Sequence, residues 1–409
     1  KYKYLIFLYL ANRAKKIRNM ESKKSRREFI KTGIKTSIGL SILLSSLYRC
    51  DFKREEKNKH SKSKRKPLNI LILGGTSFLG LHQIAYALNR GHSISIFTRG
   101  KTNPSIYKDL FKNVEHLIGD RKDNLSALEN RKWDVVIDNS GHDAEWTKQS
   151  AKLLKENCNL YLYTSSTGVY YPYLKSDVKE SAELLLKEPE GITDEYEKLE
   201  YGYGVMKANS ELEAINQFGE DRTIVVRPTY MFGPADKSNR FIHWPIRLSK
   251  GGEVLVPGKI NDMVQYIDVR DVAEWMIRLI EDKKVGTYNA VGPKENQSIH
   301  KFVEEAQHAF SVKNTFVKVD DYKFLMENKI YGIVPWILPT GNNSGSAKIN
   351  NEKGLTNGLK ITPLVKSIKD TYEWWISDAV SEEQRDKVEV DPESILIREN
   401  SILEKWKTL

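Results

Sequence analysis

A tyrosine and a lysine four positions apart, Tyr203 and Lys207, are the pair in this sequence best suited to moving a proton. Residues i and i+4 share a helix face, so the phenol and the ammonium can point at one substrate. Tyrosine titrates at about pH 10 in water, and a neighbouring ammonium favours the phenolate that acts as a general base. About two such pairs are expected by chance in this composition. The other, Tyr171 and Lys175, is interrupted by Pro172, which favours Tyr203 and Lys207.

Upstream of this pair, an apolar run of strand length leads directly into a glycine-containing turn. The run is LNILIL (68–73), and a helical pattern and a second apolar run, SISIF (93–97), follow the turn. This order is typical of units that bind dinucleotides, because small residues let backbone N–H groups approach a pyrophosphate at a helix N-terminus. In a G-x-x-G-x-x-G spacing, Ser77 stands at the middle position. The predicted cofactor-binding residues of the turn are Gly74, Gly75, Thr76, Ser77, Phe78, Leu79 and Gly80.

The residue after the second strand reports which nicotinamide cofactor is used. An acid there binds the ribose 2′-hydroxyl, whereas an arginine accommodates a 2′-phosphate. The stretch FTRGK (97–101) has no acid and contains Arg99, followed by Lys101. The sequence therefore predicts NADP, with NAD as the alternative.

Four further segments that read as strands follow, and helical stretches separate most of them. They are VEHLI (114–118), WDVVID (133–138), LYLYT (160–164) and TIVVR (223–227). Strands that alternate with helices are typical of a parallel sheet covered on both faces. The sequence therefore predicts an α/β fold: a doubly wound parallel Rossmann sheet with a smaller C-terminal α/β substrate-binding portion.

With these elements in place, the chain resembles the short-chain dehydrogenase/reductase superfamily, and within it the NAD-dependent epimerase/dehydratase family. It is most similar to atypical members with a GG-T-x-F-x-G turn. The resemblance extends from about residue 68 to 310, and more faintly through ITPLVKSIKDTYEWW (361–375). The matching stretches are GGTSFLG (74–80), IGDR (118–121), YTSSTGVY (163–170), YGYGVMK (201–207), VRPTYMFGP (226–234) and QYIDVRDVAEW (265–275).

The resemblance implies a role for each matching residue. Ser166 corresponds to the hydroxyl that hydrogen-bonds the substrate oxygen, with Ser165 as the alternative. Tyr203 would move the proton while hydride passes between the substrate carbon and the nicotinamide, and Lys207 would also hold the ribose hydroxyls. The other implied cofactor contacts are Asp120 at the adenine, Asn139 and Ser140 with Gly141 after the fourth strand, and Pro228 beside the nicotinamide.

Departures from the family pattern bear on the reaction. Sugar dehydratases of this superfamily carry an Asp-Glu pair directly after the catalytic hydroxyl, where this chain has Thr167 and Gly168, so dehydration is not expected. His142 and Asp143 are interpreted as loop residues, and no metal site is predicted. Candidate substrate contacts come from NRFIHWPIRLSKGGEVLVPG (239–258), since an aromatic ring with hydrogen-bonding neighbours suits a sugar; a core position suits the tryptophan almost equally. These candidates are Arg240, His243 and Trp244.

The predicted organisation has one folded body behind an N-terminal leader. Residues 67–310 are expected to form the NAD(P)-binding domain, with substrate-binding segments at about 171–200 and 229–262. The polar stretch 174–200 is interpreted as an insertion over the substrate mouth. Residues 311–409 are expected to form a C-terminal region on the substrate side.

The leader resembles a twin-arginine export signal. The first methionine is Met20, so residues 1–19 are expected to be an upstream extension. SRREFIK (25–31) precedes an uncharged run of 13 residues (36–48), which suits a signal core and is shorter than the roughly 20 residues of a membrane span. The signal is assigned to 20–50 and a charged linker to 51–66; an uncleaved anchor is the alternative. Cys50 is a candidate lipid-attachment residue, although Tyr48 and Arg49 precede it where small residues are usual.

The charge distribution separates leader and body. Residues 1–66 contain 21 Lys and Arg against 5 Asp and Glu, which leaves 44 against 49 for the remainder, so the body is mildly acidic. A nucleic-acid partner is therefore not expected. The predicted function is NAD(P)-dependent oxidation or epimerisation at a hydroxyl or keto group of a sugar or glycan fragment, with tightly bound cofactor, in an exported protein. The resemblance is compatible with a homodimer. The alternatives are an NADP-dependent reductase of a non-sugar carbonyl and a non-catalytic RNA- or protein-binding member.

Overall fold

A computed structural model describes residues 66–409. The upstream extension, the twin-arginine segment, Cys50 and the linker up to residue 65 lie outside the described residues. Within residues 66–409, no helix is long and apolar enough to cross a membrane.

Seven parallel strands form the central sheet. They are β1 (Asn69–Leu73), β2 (Ser93–Thr98), β3 (Val114–Ile118), β4 (Trp133–Asp138), β5 (Cys158–Thr164), β6 (Thr223–Pro228) and β10 (Gly286–Ala290). Their order is β3-β2-β1-β4-β5-β6-β10. The order reverses direction between β1 and β4, which is the switch point where such sheets bind ligands beyond the carboxyl ends of their strands. The predicted doubly wound fold is confirmed.

The sheet is covered on both faces, and the alternation within β1 shows how. Ile70 and Ile72 belong to one apolar core, with residues of α1 (Leu79–Asn89) and α5 (Val269–Glu281). Leu71 and Leu73 belong to a second core, with residues of α2 (Ala144–Leu154) and α3 (Glu195–Phe218). Because successive side chains of a strand point to opposite faces, an unbroken apolar strand requires both layers.

A smaller α/β portion follows and is interleaved with the sheet domain. Its strands are β7 (Met231–Phe232), β8 (Gly252–Pro257), β9 (Met263–Asp268), β11 (Gly292–Ser298), β12 (Asn314–Val319), β13 (Gly332–Ile333) and β14 (Trp336–Ile337). Its helices are α4 (His243–Ser249), α6 (Ile299–Ala306), α7 (Tyr322–Glu327), α8 (Glu352–Thr356), α9 (Leu364–Ile376), α10 (Glu382–Glu389) and α11 (Ile395–Lys407). β8 pairs with β12, and β9 lies between β7 and β11. A separate core around Phe241, Trp244 and Phe302 stabilises this portion.

The start of α3 differs from the sequence-based expectation. The polar stretch 174–200 was expected to lie outside the helix of Tyr203, whereas α3 begins at Glu195. Asp194 caps it by accepting a hydrogen bond from the Glu197 amide at 2.8 Å, and Glu195 and Glu197 place acids in the first turn. Both features stabilise a helix N-terminus. Tyr203 therefore lies in the third turn of a long helix.

Candidate active site

The glycine turn after β1 has the conformation and space of a phosphate-binding corner. Gly74 and Gly75 adopt φ of 107° and 108°, which favour glycine. A Cβ on Gly80 would lie 2.5 Å from the Gly75 Cα, so α1 packs directly on the turn. No side chain in the described part of the chain caps the N-terminus of α1. The Gly80 and Leu81 amides donate to the Ser77 and Phe78 carbonyls at 3.1 and 3.0 Å, and the positive end of the helix dipole at this turn favours an anion.

The loop after β4 borders this corner. A Cβ on Gly74 would lie 3.6 Å from Asn139 Cβ and 3.7 Å from Ser140 Cβ. The Asn139 side chain is directed into the protein: its amide nitrogen donates to Gln83 at 2.7 Å, and its oxygen accepts from Thr164 at 2.7 Å. Ser140 Oγ accepts from Arg121 at 3.0 Å. The polar side-chain atoms of Asn139 and Ser140 thus bond within the protein, and both residues face the glycine turn with their Cβ atoms.

A buried ion pair at the end of β4 holds this loop in place. Arg121 donates to Asp138 through both terminal nitrogens, at 2.7 and 2.9 Å, and Tyr161 donates to the same carboxyl at 2.7 Å. Burial opposes the charge on Asp138, but the guanidinium outweighs it and holds the pKa of the carboxyl below its ordinary value. The Ser140 amide also donates to Asp138, at 3.1 Å. The pair thus positions the loop against the glycine corner.

Removing the guanidinium of this pair should destabilise the protein strongly. Arg121→Ala leaves Asp138 as an uncompensated buried charge, and we expect the free energy of unfolding to fall by about 3 to 5 kcal/mol. Denaturant unfolding followed by far-ultraviolet circular dichroism measures it. Arg131→Ala is the matched control, because Arg131 pairs with Glu115 at the surface, where we expect a loss below about 1 kcal/mol. Equal losses in the two variants would show that the buried pair has no special role.

The predicted catalytic serine lies beyond β5. Ser166 begins a short 3-10 turn, and its Oγ accepts a hydrogen bond from the Gly168 amide at 3.0 Å. As a hydroxyl that accepts here, it still has a proton to donate to a substrate oxygen. Ser165 is 5% exposed, and its Oγ is buried without a partner among the described residues. Accessibility therefore favours Ser166 over Ser165.

Lys207 is held at the carboxyl end of the sheet by backbone oxygens. Its ammonium donates to the carbonyls of Thr164 at 3.1 Å and Gly141 at 3.3 Å, and it lies 5.1 Å above the Tyr163 ring. Burial opposes its charge, but Tyr163 and Tyr203 outweigh burial and raise the pKa of Lys207 above its ordinary value. Because Gly141 follows Asn139 and Ser140, which lie beside Gly74, the ammonium contacts the loop that borders the glycine corner.

Tyr203 lies on α3 with its ring beside the Ser166 turn. A Cβ on Gly168 would be 2.8 Å from the Tyr203 ring and 3.3 Å from Ser166 Oγ, so ring and hydroxyl flank one glycine. A Cβ on Gly204 would lie 2.6 Å from the Gly168 carbonyl oxygen. These two glycines let α3 approach the serine turn closely. Tyr203 is 42% exposed, which leaves its phenol accessible to a substrate.

A second buried ion pair sets the position of α3. Arg227 at the end of β6 donates to both carboxylate oxygens of Glu211, at 2.9 and 2.6 Å. Arg227 also donates to the Tyr170 hydroxyl at 2.8 Å. Glu211 lies one turn beyond Lys207, so the pair fixes the helix that presents Tyr203 and Lys207.

With this geometry established, the chain can be compared with known proteins. The model of the NAD dependent epimerase/dehydratase family matches residues 70–291, which is more than half of the chain. The chain belongs to the NAD dependent epimerase/dehydratase family. The match covers the glycine corner, the Ser166 turn, α3 and the β6 strand.

Relatives of this family member include one curated protein and several solved structures. The chloroplast stem-loop binding protein of 41 kDa b from Arabidopsis thaliana is 29% identical over 242 residues, 55% of this chain and 59% of that protein. The chain thus spans about three fifths of its length. The Bordetella bronchiseptica enzyme WbmH in complex with NAD+ has a TM-score of 0.54 at 15% identity, covering 77% of this chain and 100% of that one. The UDP-N-acetylglucosamine 4-epimerase from Methanobrevibacter ruminantium, in complex with UDP-N-acetylmuramic acid, has a TM-score of 0.54 at 17% identity, covering 76% and 99%. At these identities the two structures show the fold alone.

The remaining predicted cofactor residues of this epimerase-family chain lie at the same edge of the sheet. Arg99 directly follows β2 and is exposed, and Asp120 follows β3. Pro228 ends β6 and is buried. The carboxyl ends of parallel strands meet at one edge, so these residues lie at the same edge of the sheet as the glycine turn. Within residues 66–409, no group of three or more His, Cys, Asp or Glu is placed to hold a metal ion.

The structure places two of the three candidate substrate contacts of the 239–258 stretch in the protein interior, the core position that the sequence left open for the tryptophan. Trp244 is fully buried and donates to the Val334 carbonyl at 3.0 Å. His243 is buried beside Trp244, and burial lowers its pKa to about 3. Both belong to the core of the smaller portion, because α4 packs its apolar residues inward. Arg240 is exposed, with its guanidinium carbon 5.6 Å from the Tyr230 ring centre.

Several residues around the site were missed by sequence reasoning. Arg121 was recognised only as part of the IGDR motif (118–121), and its ion pair with Asp138 was not predicted. The signal was available, because an acid that ends a buried strand needs a cationic partner. Glu200 and Tyr196 were assigned to the insertion but lie on α3. The signal that would have found them is the i, i+4, i+7 spacing that ends at Tyr203.

Proposed function

We propose that this protein catalyses NAD(P)-dependent oxidation or epimerisation at a hydroxyl or keto group of a carbohydrate. The observation that carries the proposal is the convergence of Ser166, Tyr203 and Lys207 beside a glycine corner shaped for a diphosphate. Tyr203 and Ser166 flank Gly168, and Lys207 contacts the loop that borders Gly74.

Tyr203, Ser166 and Lys207 would each have a separate role in this reaction. A bound nicotinamide supplies the acceptor for the hydride that leaves the carbinol carbon. Tyr203 takes the hydroxyl proton as the carbonyl forms and returns it when the hydride comes back. Ser166 would donate a hydrogen bond to the reacting oxygen, and Lys207 would hold the ribose hydroxyls of the nucleotide. Return of the hydride to the opposite face would give epimerisation without net redox change.

We propose NADP as the preferred nucleotide, because Arg99 stands exposed directly after β2. A 2′-phosphate there would be bound by a cation, whereas an acid would be needed to select the 2′-hydroxyl. The fold neighbour WbmH is named as a complex with NAD+, so NAD is the competing outcome.

Mass spectrometry of nucleotide released from protein purified without added cofactor tests both points. We expect a nicotinamide dinucleotide in the wild type, with NADP in excess of NAD. Arg99→Ser should reduce the NADP preference by about tenfold, the value of one lost charge-assisted contact, and Lys108→Ser serves as an exposed control beyond this stretch. Protein that neither retains nor binds either nucleotide would contradict the proposed function; an unchanged preference in Arg99→Ser would contradict the role of Arg99.

The carbohydrate part of the proposal draws on the named relatives. The neighbour from Methanobrevibacter ruminantium is a UDP-N-acetylglucosamine 4-epimerase. Within the family, redox-neutral epimerisation also suits a cofactor that stays bound. A non-sugar carbonyl reductase is the alternative, and a nucleotide that dialyses away easily would favour it.

A second candidate, RNA binding, is favoured by the name of the Arabidopsis thaliana relative, a stem-loop binding protein. The mildly acidic composition of residues 67–409 argues against it, since phosphate backbones attract cations. A gel-shift titration with an RNA stem-loop distinguishes the two functions. Binding that survives physiological salt would support RNA recognition.

We also propose that the protein is exported by the twin-arginine route in a folded, nucleotide-loaded state. SRREFIK and the following uncharged run support this proposal. A dinucleotide site forms only in the folded domain, so the nucleotide would have to be acquired before export. Replacing Arg26 and Arg27 by lysine should retain the protein in the cytoplasm, as measured by cell fractionation.

A further inference from the structure

Helix α3 presents one continuous stripe of functional side chains. Tyr196, Glu200, Tyr203 and Lys207 follow at spacings of four, three and four, so they share a face. Lys207 is 5% exposed and Tyr196 is 52% exposed. The stripe therefore runs from the cofactor end of the site out to solvent, and Glu200 lies one turn outward from Tyr203.

Two further tyrosines from other segments meet this stripe. Tyr173 follows the serine turn and is 8% exposed, and Tyr230 directly precedes β7. Burial raises the pKa of Tyr173 well above its ordinary value, and Tyr230, Glu200, Tyr203 and Tyr196 add to this effect. Tyr173, Tyr196, Tyr203 and Tyr230, here called the tyrosine cluster, thus lie near one another and near Glu200, and we take this as the substrate mouth.

Glu200 is a carboxyl in partly apolar surroundings. Burial raises its pKa, while a hydrogen bond from Tyr196 and the charge of Arg240 act in the opposite direction. Arg240 also lies over the Tyr230 ring at 5.6 Å. The mouth therefore combines aromatic faces, phenol hydroxyls and one acid, which suits a ring that carries several hydroxyl groups.

The charges at this mouth disfavour a diphosphate. Diphosphate groups are recognised by unpaired arginines and lysines, and a carboxyl one turn from Tyr203 would repel them. Arg240 is the arginine whose charge acts on Glu200, and the carboxyl of Glu200 offsets that charge.

We propose that Glu200 determines specificity by accepting hydrogen bonds from hydroxyl groups of an uncharged sugar ring at the tyrosine cluster and by rejecting nucleotide-linked sugars. The inference rests on the proposed function, because Tyr203 defines the reacting end of the mouth. It separates this chain from the fold neighbour that is named as an epimerase of a UDP-sugar.

Ligand-observed NMR titration of the purified, nucleotide-loaded protein with methyl glucoside and with UDP-glucose tests this role. Glu200→Ala should weaken methyl glucoside binding by about tenfold, because a charged acceptor is lost. Glu200→Gln keeps an acceptor but removes the charge, so methyl glucoside binding should stay within about threefold while UDP-glucose binding improves by about threefold or more. If Glu200 had only a structural role, both variants would bind both ligands more weakly than the wild type.

Glu213→Ala is the matched control, because Glu213 lies on the same helix on the side away from Glu200. It should change neither affinity. Tighter wild-type binding of UDP-glucose than of methyl glucoside, or no gain for UDP-glucose in Glu200→Gln, would overturn the inference. The titration needs no turnover, and nucleotide content is measured on the same samples. A protein without nucleotide would therefore contradict the proposed function separately from the role of Glu200.

Discussion

Gly80→Ala is expected to abolish retention of the nicotinamide dinucleotide. The added Cβ would lie 2.5 Å from Gly75 Cα and 2.9 Å from the Gly75 carbonyl atoms. These are backbone atoms, so the clash is relieved only by moving α1 away from the turn, which displaces the amide groups aimed at the diphosphate. We expect nucleotide affinity to fall at least about 100-fold, equivalent to about 2.7 kcal/mol. Nucleotide content after purification and fluorescence titration with NADP and NAD measure the loss.

Gly91→Ala separates this effect from a general loss of stability. Gly91 lies just beyond the end of α1 with φ of 86°, and a Cβ there meets no atom within 4 Å. Alanine at this position is strained by about 1 kcal/mol but leaves the turn unchanged. We expect Gly91→Ala to unfold more easily than the wild type and to retain its nucleotide. Full nucleotide content in Gly80→Ala would show that residues 74–80 do not form the diphosphate site.

Local patterns were sufficient to predict the sheet. β3 and β4 have the bounds of the segments VEHLI and WDVVID. The central strand β4 is buried along most of its length, as its apolar residues predict, whereas Glu115, His116 and Ile118 of the edge strand β3 are exposed. The glycine turn was found for a similar reason. Its positive φ angles and close helix approach require small residues, and both demands fall on adjacent positions.

The contacts that complete the site are long-range and left weaker local signals. Arg121 and Asp138 are separated by one strand and two loops, and a sequence shows charges without showing which of them are buried together. His243 and Trp244 illustrate the opposite error, in which core residues were taken for substrate contacts. An aromatic residue suited to sugar binding is equally suited to a core. Gly168 was noted as a departure from the dehydratases, and the structure supplies the reason, since a side chain there would collide with the Tyr203 ring.

The position of Tyr203 also explains why α3 is anchored so firmly. Its ring lies against Gly168, and Gly204 lets the helix approach the serine turn. The Arg227–Glu211 pair holds the helix one turn beyond Lys207. A displacement of about 1 Å in this helix would separate the phenol from the reacting oxygen, and such misplacement is costly to catalysis.

Tyr203→Phe is expected to remove catalysis and leave nucleotide binding intact. Phenylalanine keeps the ring against Gly168 and removes only the hydroxyl that exchanges the proton. General acid–base groups contribute on the order of 100- to 10,000-fold to rates, so we expect kcat to fall at least about 100-fold. The measurement is reduction of the bound nicotinamide, followed by its near-ultraviolet absorbance, with the carbohydrate that reduces the wild-type protein fastest in a substrate screen.

Tyr201→Phe is the matched control for the loss of a phenol from the same helix. Tyr201 packs edge-to-face on Tyr171, with ring centres 4.7 Å apart, and Tyr171 belongs to a separate buried cluster with Val169. Its hydroxyl has no part in the proposed proton transfer, so kcat should stay within about twofold. Because Lys207 is held by the Thr164 and Gly141 carbonyls rather than by Tyr203 alone, Tyr203→Phe should retain its nucleotide. Equal rates in Tyr203→Phe and the wild type would remove Tyr203 from the chemistry.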